Sequence, residues 1–483
     1  MTMRRAAAAA LLVLSAAYAT LILRNVSYAA GGPDESGYMN EAKLLAHGRA
    51  SVFLEPLQTL HLDRSFADVF TPLGFEPGPG KTMLPFYPAG YPMHLLVAAK
   101  LGGWSHAPFF ITPLLAFASI VLTYAIAREL GLASSWAIAS AAILALYPTF
   151  VLHSLVVMSD VPAMFWALLA MWVSLRSMQR PRFALLAGAA LGVAVWIRPA
   201  TLLLALPLAI AMRFRFRSLL LTALGGLPFA LLLMLFNTKV YGHPFSTGYG
   251  SLGGYLVFGD CFRQQSMSLL RLLTPIVLPG GLFVIFDRRV DKWHRVLIPT
   301  WFAVFLIFYG FWPSCDQWWY TRFLFAATPP LIYGAMFLIR DLCALIPRAR
   351  IGAAISVVVI AAILIHLGRQ WEQLHLLRID EDQQVYPGSV RTAESVLPRN
   401  ALVVAGVLSG AFYNYSGRFT ARWDRIEPDR FQLLRAYAGD ANLKWYAVLS
   451  DVEITGPEFA RRFPGTWTKI AKYRDVTVFR FDS

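Results

Sequence analysis

The sequence predicts a polytopic α-helical membrane protein with a small C-terminal α/β domain on the extracytoplasmic side. Three observations predict it. The 483 residues are 57% hydrophobic and 15% charged, with mean hydropathy +0.53, too apolar for a water-soluble chain of this length. Long apolar runs recur as far as residue 367. From about residue 368 the composition turns charged, and short strand-like runs alternate with helix-like ones.

Eleven runs read as spans: 6–23, 107–127, 134–152, 160–175, 183–197, 199–212, 218–236, 271–286, 296–312, 322–339 and 351–367. Several fall short of the roughly 20 residues that a full helical crossing needs. The pair flanking Arg198-Pro199 is the shortest and reads equally as a bent or partly inserted hairpin. Residues 4–23 also fit a cleavable leader, with a basic start, an apolar run and small residues near Ala17 and Ala30. Either way Asp34 lies outside.

The first outer loop, 24–106, carries Pro and Gly at 72–80, which separate short surface helices. Within it residues 85–101 are apolar, but a crossing there would invert every charge downstream. They read as a juxtamembrane helix in the membrane interface. A second outer loop, about 237–270, is Gly-rich and aromatic. The organisation expected is a membrane domain over 1–367 and a small soluble α/β domain over 368–483, long enough for its own core. In that tail 401–406, 445–449 and 476–481 read as strands, and 429–438 and 457–463 as helices.

Arg4, Arg5, Arg128, Arg176, Arg180, Arg182, Arg213, Arg215, Arg217, Arg288, Arg289, Lys292, Arg295, Arg340, Arg348 and Arg350 fall in alternate loops, which marks those loops as cytoplasmic. These sixteen outnumber the formal net charge of +15, so orientation accounts for the basic balance and no nucleic-acid partner is expected. The amino terminus is then inside and the carboxyl terminus outside, in the manner of a multi-pass protein of the bacterial cytoplasmic (inner) membrane. Asp34, Glu35, Asp160, Arg198, Lys239, Asp260, Asp316 and Arg322 take the outer side, facing the outside or periplasm. Cys261, Cys315 and Cys343 make neither a metal-ligand spacing nor a disulfide framework. Cys261 and Cys315 share the outer side, which permits a bond; Cys343 is cytoplasmic.

Directly after the first span stand Asp34 and Glu35, followed at helical spacing by Tyr38, Ala42 and Leu45 and closed by Gly48. Carboxylates there meet a lipid surface and point to chemistry at an outer mouth. They equally suit the free N–H groups and dipole of a helix beginning near Ser36. Glu35 projects about 100° round from Asp34. Asp160 opens a span, with Pro162 in its first turn, and reads either as a cap or as a second site carboxylate. Arg198 sits at an outer helix break, where a charge is costly unless used or snorkelling to the interface. Trp312, Trp318, Trp319 and Tyr320 read as an interfacial aromatic belt or as a stacking surface. His94, His153 and His243 share no metal-ligand spacing.

The stretch Asp34-Glu35-Ser36-Gly37-Tyr38, with Glu41-Ala42 and Leu44-Leu45-Ala46-His47-Gly48 behind it, resembles the first outer loop of the GT-C glycosyltransferases. More narrowly it is similar to the bacterial branch of the dolichyl-phosphate-mannose protein mannosyltransferase family, which includes the aminoarabinose transferase of lipid A and the galacturonosyltransferases of rhizobial lipopolysaccharide. Tyr87-Pro88-Ala89-Gly90-Tyr91, Met158-Ser159-Asp160 and Trp196-Ile197-Arg198-Pro199 match further motifs in the same order. The resemblance covers roughly residues 10–340 and leaves the tail outside. Many relatives carry a Lys before the juxtamembrane proline, where this chain has Tyr87.

The resemblance implies a GT-C-like fold and an inverting transfer of a hexose or pentose from a polyprenyl-phosphate sugar donor, held among membrane lipids, to a lipid, glycan or protein acceptor. Asp34 is then the candidate general base, with Glu35 orienting acceptor or metal and Asp160 as a second carboxylate. Arg198 and Arg322, and Lys81 in place of the missing Lys, are the candidates for the donor phosphate. Tyr38, Tyr87 and Tyr320 are the candidates for acceptor or sugar contacts. A divalent cation (Mg or Mn) on Asp34 and Asp160, or none, both remain open. Two other readings compete: a transporter or flippase of a lipid-linked sugar, and a binding protein without turnover. Ionisable groups cluster at span ends rather than midplane, which suits work at one face better than alternating access.

Overall fold

The computed structural model describes residues 2–250, 259–274 and 276–482; for residues 2–8, 10, 11 and 278 only the backbone is described. The side chains of Arg4 and Arg5 and the 251–258 portion of the second outer loop thus lie outside the described residues. The chain forms two compact units, each assembled from three stretches.

The first unit comprises Met1–Val26, Phe110–Leu233 and Ser251–Ile379 and is helical. The apolar runs fall on helices, but proline and glycine break several. Residues 134–152 become Ser134–Leu146 and Pro148–Ser154, bent by 64° at a proline that cannot continue the first helix. Residues 271–286 are interrupted at Thr274. Among the described residues five helices are long and apolar enough to cross a membrane, six if the bent pair is one crossing, where the runs suggested eleven spans: Ala107–Glu129, Phe216–Tyr241, Lys292–Gly310, Trp318–Ala344 and Ala349–Gln373.

Glycine brings two helices of this unit together backbone to backbone. A Cβ at Gly188 would lie 1.8 Å from the Thr222 carbonyl, and one at Gly225 1.9 Å from that of Leu185. Helix Phe183–Ile197 thus packs on Phe216–Tyr241 at the close approach that small residues permit between apolar helices. Trp301 fills the core of the unit, its indole N–H donating to the Ala326 carbonyl at 2.7 Å.

The second unit joins Ser27–Phe109, Met234–Gly250 and Asp380–Ser483. Where the sequence suggested only helices and turns in the first loop, β1 (Val52–Phe53), β2 (Phe75–Pro77) and β3 (Thr82–Pro85) form an antiparallel sheet in the order β1-β3-β2. The apolar stretch after it becomes helix Gly90–Gly102, whose 13 residues reach about 20 Å, short of the ~30 Å hydrocarbon layer. The tail forms a second sheet from β4 (Ala401–Val404), β5 (Lys444–Ser450), β6 (Thr466–Tyr473) and β7 (Val476–Asp482), in the order β4-β5-β7-β6 with β4 and β5 parallel. Alternation sends Leu402, Val404, Trp445, Ala447 and Leu449 to one face and Val403, Val448 and Val478 to the other. On the first face Phe70 and Phe75 of the outer loop and Phe431 and Phe463 of the tail share one core. The sequence missed β6 because it is a lysine-bearing edge strand without clean alternation.

Candidate active site

In the second unit, helix Pro33–Ala46 carries the acidic motif. It starts three residues before Ser36, because Pro33 has the backbone angle that suits a first helical position. Gly32 is the N-cap residue, and no side chain caps the end. Asp34 and Glu35 therefore lie inside the first turn, where negative charge suits the helix dipole.

Asp34 is half-buried, and its Oδ1 accepts a hydrogen bond from the Tyr87 hydroxyl at 2.5 Å. Burial, then the Asp34 charge, push the Tyr87 phenol well above its ordinary value, so it remains a donor. Tyr38, one turn after Asp34, lays its ring 4.4 Å from Tyr87 and 5.1 Å edge-on from Tyr91. The close fit depends on two glycines: a Cβ at Gly74 (φ +93°) would stand 2.4 Å from Gly37 Cα, and one at Gly37 would strike the Tyr87 ring at 2.5 Å.

Glu35 turns away from Asp34, as its position round the helix requires, and accepts from Gln383 Nε2 at 3.2 Å. The tail backs the helix elsewhere too: Asn40 Nδ2 donates to the Gly410 carbonyl at 3.2 Å and Lys43 Nζ to the Asn414 side chain at 2.7 Å. Lys81, at the start of the β3 hairpin arm, donates to the Leu57 carbonyl at 3.4 Å and exerts its charge on Asp63.

One residue of the motif, Glu41, was given no role by the sequence reading. Glu41 is 1% exposed, neither carboxyl oxygen has a hydrogen-bond partner, and burial pushes the group well above the usual carboxylate range. Its spacing of seven from Asp34 and three from Tyr38 places it on their face of the helix, the signal that would have found it.

In the first unit, Asp160 is the first residue of helix Asp160–Ser177 and is 2% exposed. It forms an ion pair with Arg198, which sits in extended backbone between helix Phe183–Ile197 and the 3₁₀ turn Pro199–Leu204. Arg322 lies in a second 3₁₀ stretch, Trp318–Ala327. The guanidinium carbons of Arg198 and Arg322 stand 5.1 Å and 5.2 Å from the centroid of the Phe323 ring, a cation–π arrangement at both. Tyr320 stacks on Phe323 at 5.7 Å and lies 5.8 Å from the Arg322 guanidinium. Asp160, Arg198, Arg322, Thr201 and Tyr309 line a cavity of about 10 Å³, and the charges of Asp160, Arg322 and Arg198 all act on His153. One carboxylate and two guanidinium groups border this cavity, which leaves its lining net positive.

The residues do not fit a divalent cation well. Among the described residues no three His, Cys, Asp or Glu side chains gather as ligands, and the Asp160 carboxylate is already engaged by a guanidinium.

No protein-family profile matches the sequence, and no curated protein matches it. Solved structures do. The oligosaccharyltransferase of Archaeoglobus fulgidus in the apo form superposes with a TM-score of 0.60 at 13% identity, over 94% of this chain and 71% of that one. The archaeal oligosaccharyltransferase AglB from Archaeoglobus fulgidus, in complex with an inhibitory peptide and a dolichol-phosphate, gives 0.57 at 12% identity, over 99% of this chain and 74% of that one. ArnT from Cupriavidus metallidurans bound to undecaprenyl phosphate gives 0.57 at 12% identity, over 99% of this chain and 98% of that one. At such identities the likeness speaks of fold alone, and the fold is GT-C.

Proposed function

We propose that this chain is an integral membrane glycosyltransferase that moves a sugar from a polyprenyl-phosphate donor to a lipid, glycan or protein acceptor at the outer face of the cytoplasmic membrane, with inversion. The observation that carries the reading is the Asp34 carboxylate, in the first turn of the motif helix and held by the Tyr87 hydroxyl. Its support is the fold, shared with ArnT bound to undecaprenyl phosphate and AglB bound to dolichol-phosphate.

Asp34 takes the acceptor hydroxyl proton as that oxygen bonds to the anomeric carbon, and the bond from that carbon to the phosphate oxygen breaks. Tyr87 orients the base; Tyr38, read from the sequence as an acceptor or sugar contact, is buried against Tyr87 and Tyr91 and instead holds the Tyr87 ring in place. Arg198 and Arg322 stabilise the negative charge gathering on the leaving phosphate, and Tyr320 borders them. Asp160 holds Arg198 in place. No step requires a metal, and transfer in the presence of EDTA tests that directly.

A positioned general base contributes about 10²- to 10⁴-fold. Asp34→Asn should therefore lower product by that factor while the protein stays in the membrane at normal amount. The readout is mass spectrometry of envelope glycans and lipids from a deletion strain, rescued in parallel by wild type and variant. Unchanged product from the variant sinks the catalytic assignment.

A further inference from the structure

Arg322 and Phe323 belong to a ten-residue 3₁₀ stretch, Trp318–Ala327, far longer than the three or four residues at which 3₁₀ geometry is comfortable. Its own hydrogen bonds hold it poorly, so its place depends on outside contacts. Its middle and end are anchored in the core: Thr321 Oγ1 meets Tyr147 and Thr149 at 3.0 and 2.9 Å, and the Ala326 carbonyl accepts from Trp301. Its beginning follows residues 311–317, which form neither helix nor strand.

That beginning is held by another helix, Cys261–Leu273. Cys261 and Cys315 form a disulfide across 54 residues, with Cα atoms 5.4 Å apart and both side chains buried. One turn along, Gln265 Nε2 donates to the Tyr320 carbonyl at 3.3 Å, and Phe262 fills the space over Gly310. Contacts thus run from the disulfide through Gln265 to Tyr320, from Tyr320 by stacking to Phe323, and from Phe323 to the two guanidinium groups.

We infer that the Cys261–Cys315 bond is a positioning device for the Arg198–Arg322 anion pocket, so that the pocket reaches its binding geometry only after the two thiols are oxidised. The inference rests on the proposed donor site. Oxidation removes one proton from each Sγ and two electrons from the pair, forming S–S. A thiol–disulfide oxidoreductase of the extracytoplasmic side accepts them, its own disulfide becoming two thiols. Cys343, the remaining cysteine, stays a thiol.

The test is binding of undecaprenyl phosphate to the purified full-length protein in detergent, followed by tryptophan fluorescence. Maleimide mass-tagging of the unfolded chain counts thiols in each sample. Wild type should show one thiol; three would overturn the inference. Reduction of folded wild type with dithiothreitol should expose two more thiols, weaken binding tenfold or more, and be reversed by reoxidation. The double variant Cys261→Ser/Cys315→Ser should bind as weakly and ignore dithiothreitol. In transfer assays the donor KM should rise while kcat and acceptor KM hold, a split that mere loss of folded protein does not produce. If the reduced protein binds like the oxidised one, the positioning role is wrong and the donor site stands. If oxidised wild type fails to bind, the donor reading fails and the inference falls with it. If the variant does not fold, the dithiothreitol comparison on folded wild type decides alone.

Discussion

Two carboxyl groups on one helix have opposite surroundings. Asp34 is half-buried and bonded to Tyr87, whereas Glu41, two turns along, is enclosed without a hydrogen-bond partner. A charge there would be costly, and burial accordingly raises the Glu41 carboxyl well above the ordinary carboxylate range. The sign of the linkage follows. Glu41 binds its proton more tightly folded than unfolded, so the penalty is absent below the ordinary carboxylate value, about 4.3, and grows as pH rises toward the elevated folded value. Glu41→Gln should therefore melt higher than wild type at pH 8, by about 2–4 °C per kcal/mol recovered, with the gap closing near pH 5. A thermal-shift series over pH checks this, and a constant gap would contradict it. Asp34 was legible in the sequence because an acidic pair after an apolar run is conspicuous. The partners of Glu35 and Asp160 were not, because Gln383 and Arg198 reach them from 348 and 38 residues away.

Elements show the same division between local and distant information. Helices in the first unit and β4, β5 and β7 could be read from periodicity. The break at Tyr147-Pro148 was hidden inside one apolar run, and the small β1-β3-β2 sheet has strands too short to leave a pattern. The contact between Gly37 and Gly74 is of this distant kind. Gly74→Ala would need a side chain at φ +93° and a Cβ 2.4 Å from Gly37 Cα. It should cost more than about 1 kcal/mol and displace the motif helix from Tyr87. Lowered melting together with lowered transfer is expected; wild-type values of both would show that this loop does not set the helix. The corresponding disulfide closes 54 residues, a constraint on the unfolded chain of about 4 kcal/mol in the loop-entropy view. Its reduction should lower the melting temperature as well as loosen the anion pocket.

At the scale of the whole molecule, the orientation we propose makes a prediction about Cys343, the free thiol at the end of helix Thr328–Ala344. With the Asp34 motif and the tail outside, a membrane-impermeant maleimide should leave Cys343 unlabelled in intact spheroplasts and label it in inverted vesicles. The reverse pattern would turn the molecule over and end the outer-face assignment. The sequence carried the membrane class and the charge alternation, because both are compositional. It could not show that the first loop and the tail form one unit, because their shared core is built from residues hundreds apart in the chain.

That shared core also sets a timetable. The Gly410 carbonyl that receives Asn40 is made 370 residues later. At about 5–20 residues per second, a ribosome needs roughly 20–70 s to supply it. Throughout that interval the newborn motif helix lacks this contact, and a transcript or chain broken anywhere before residue 410 leaves it so permanently.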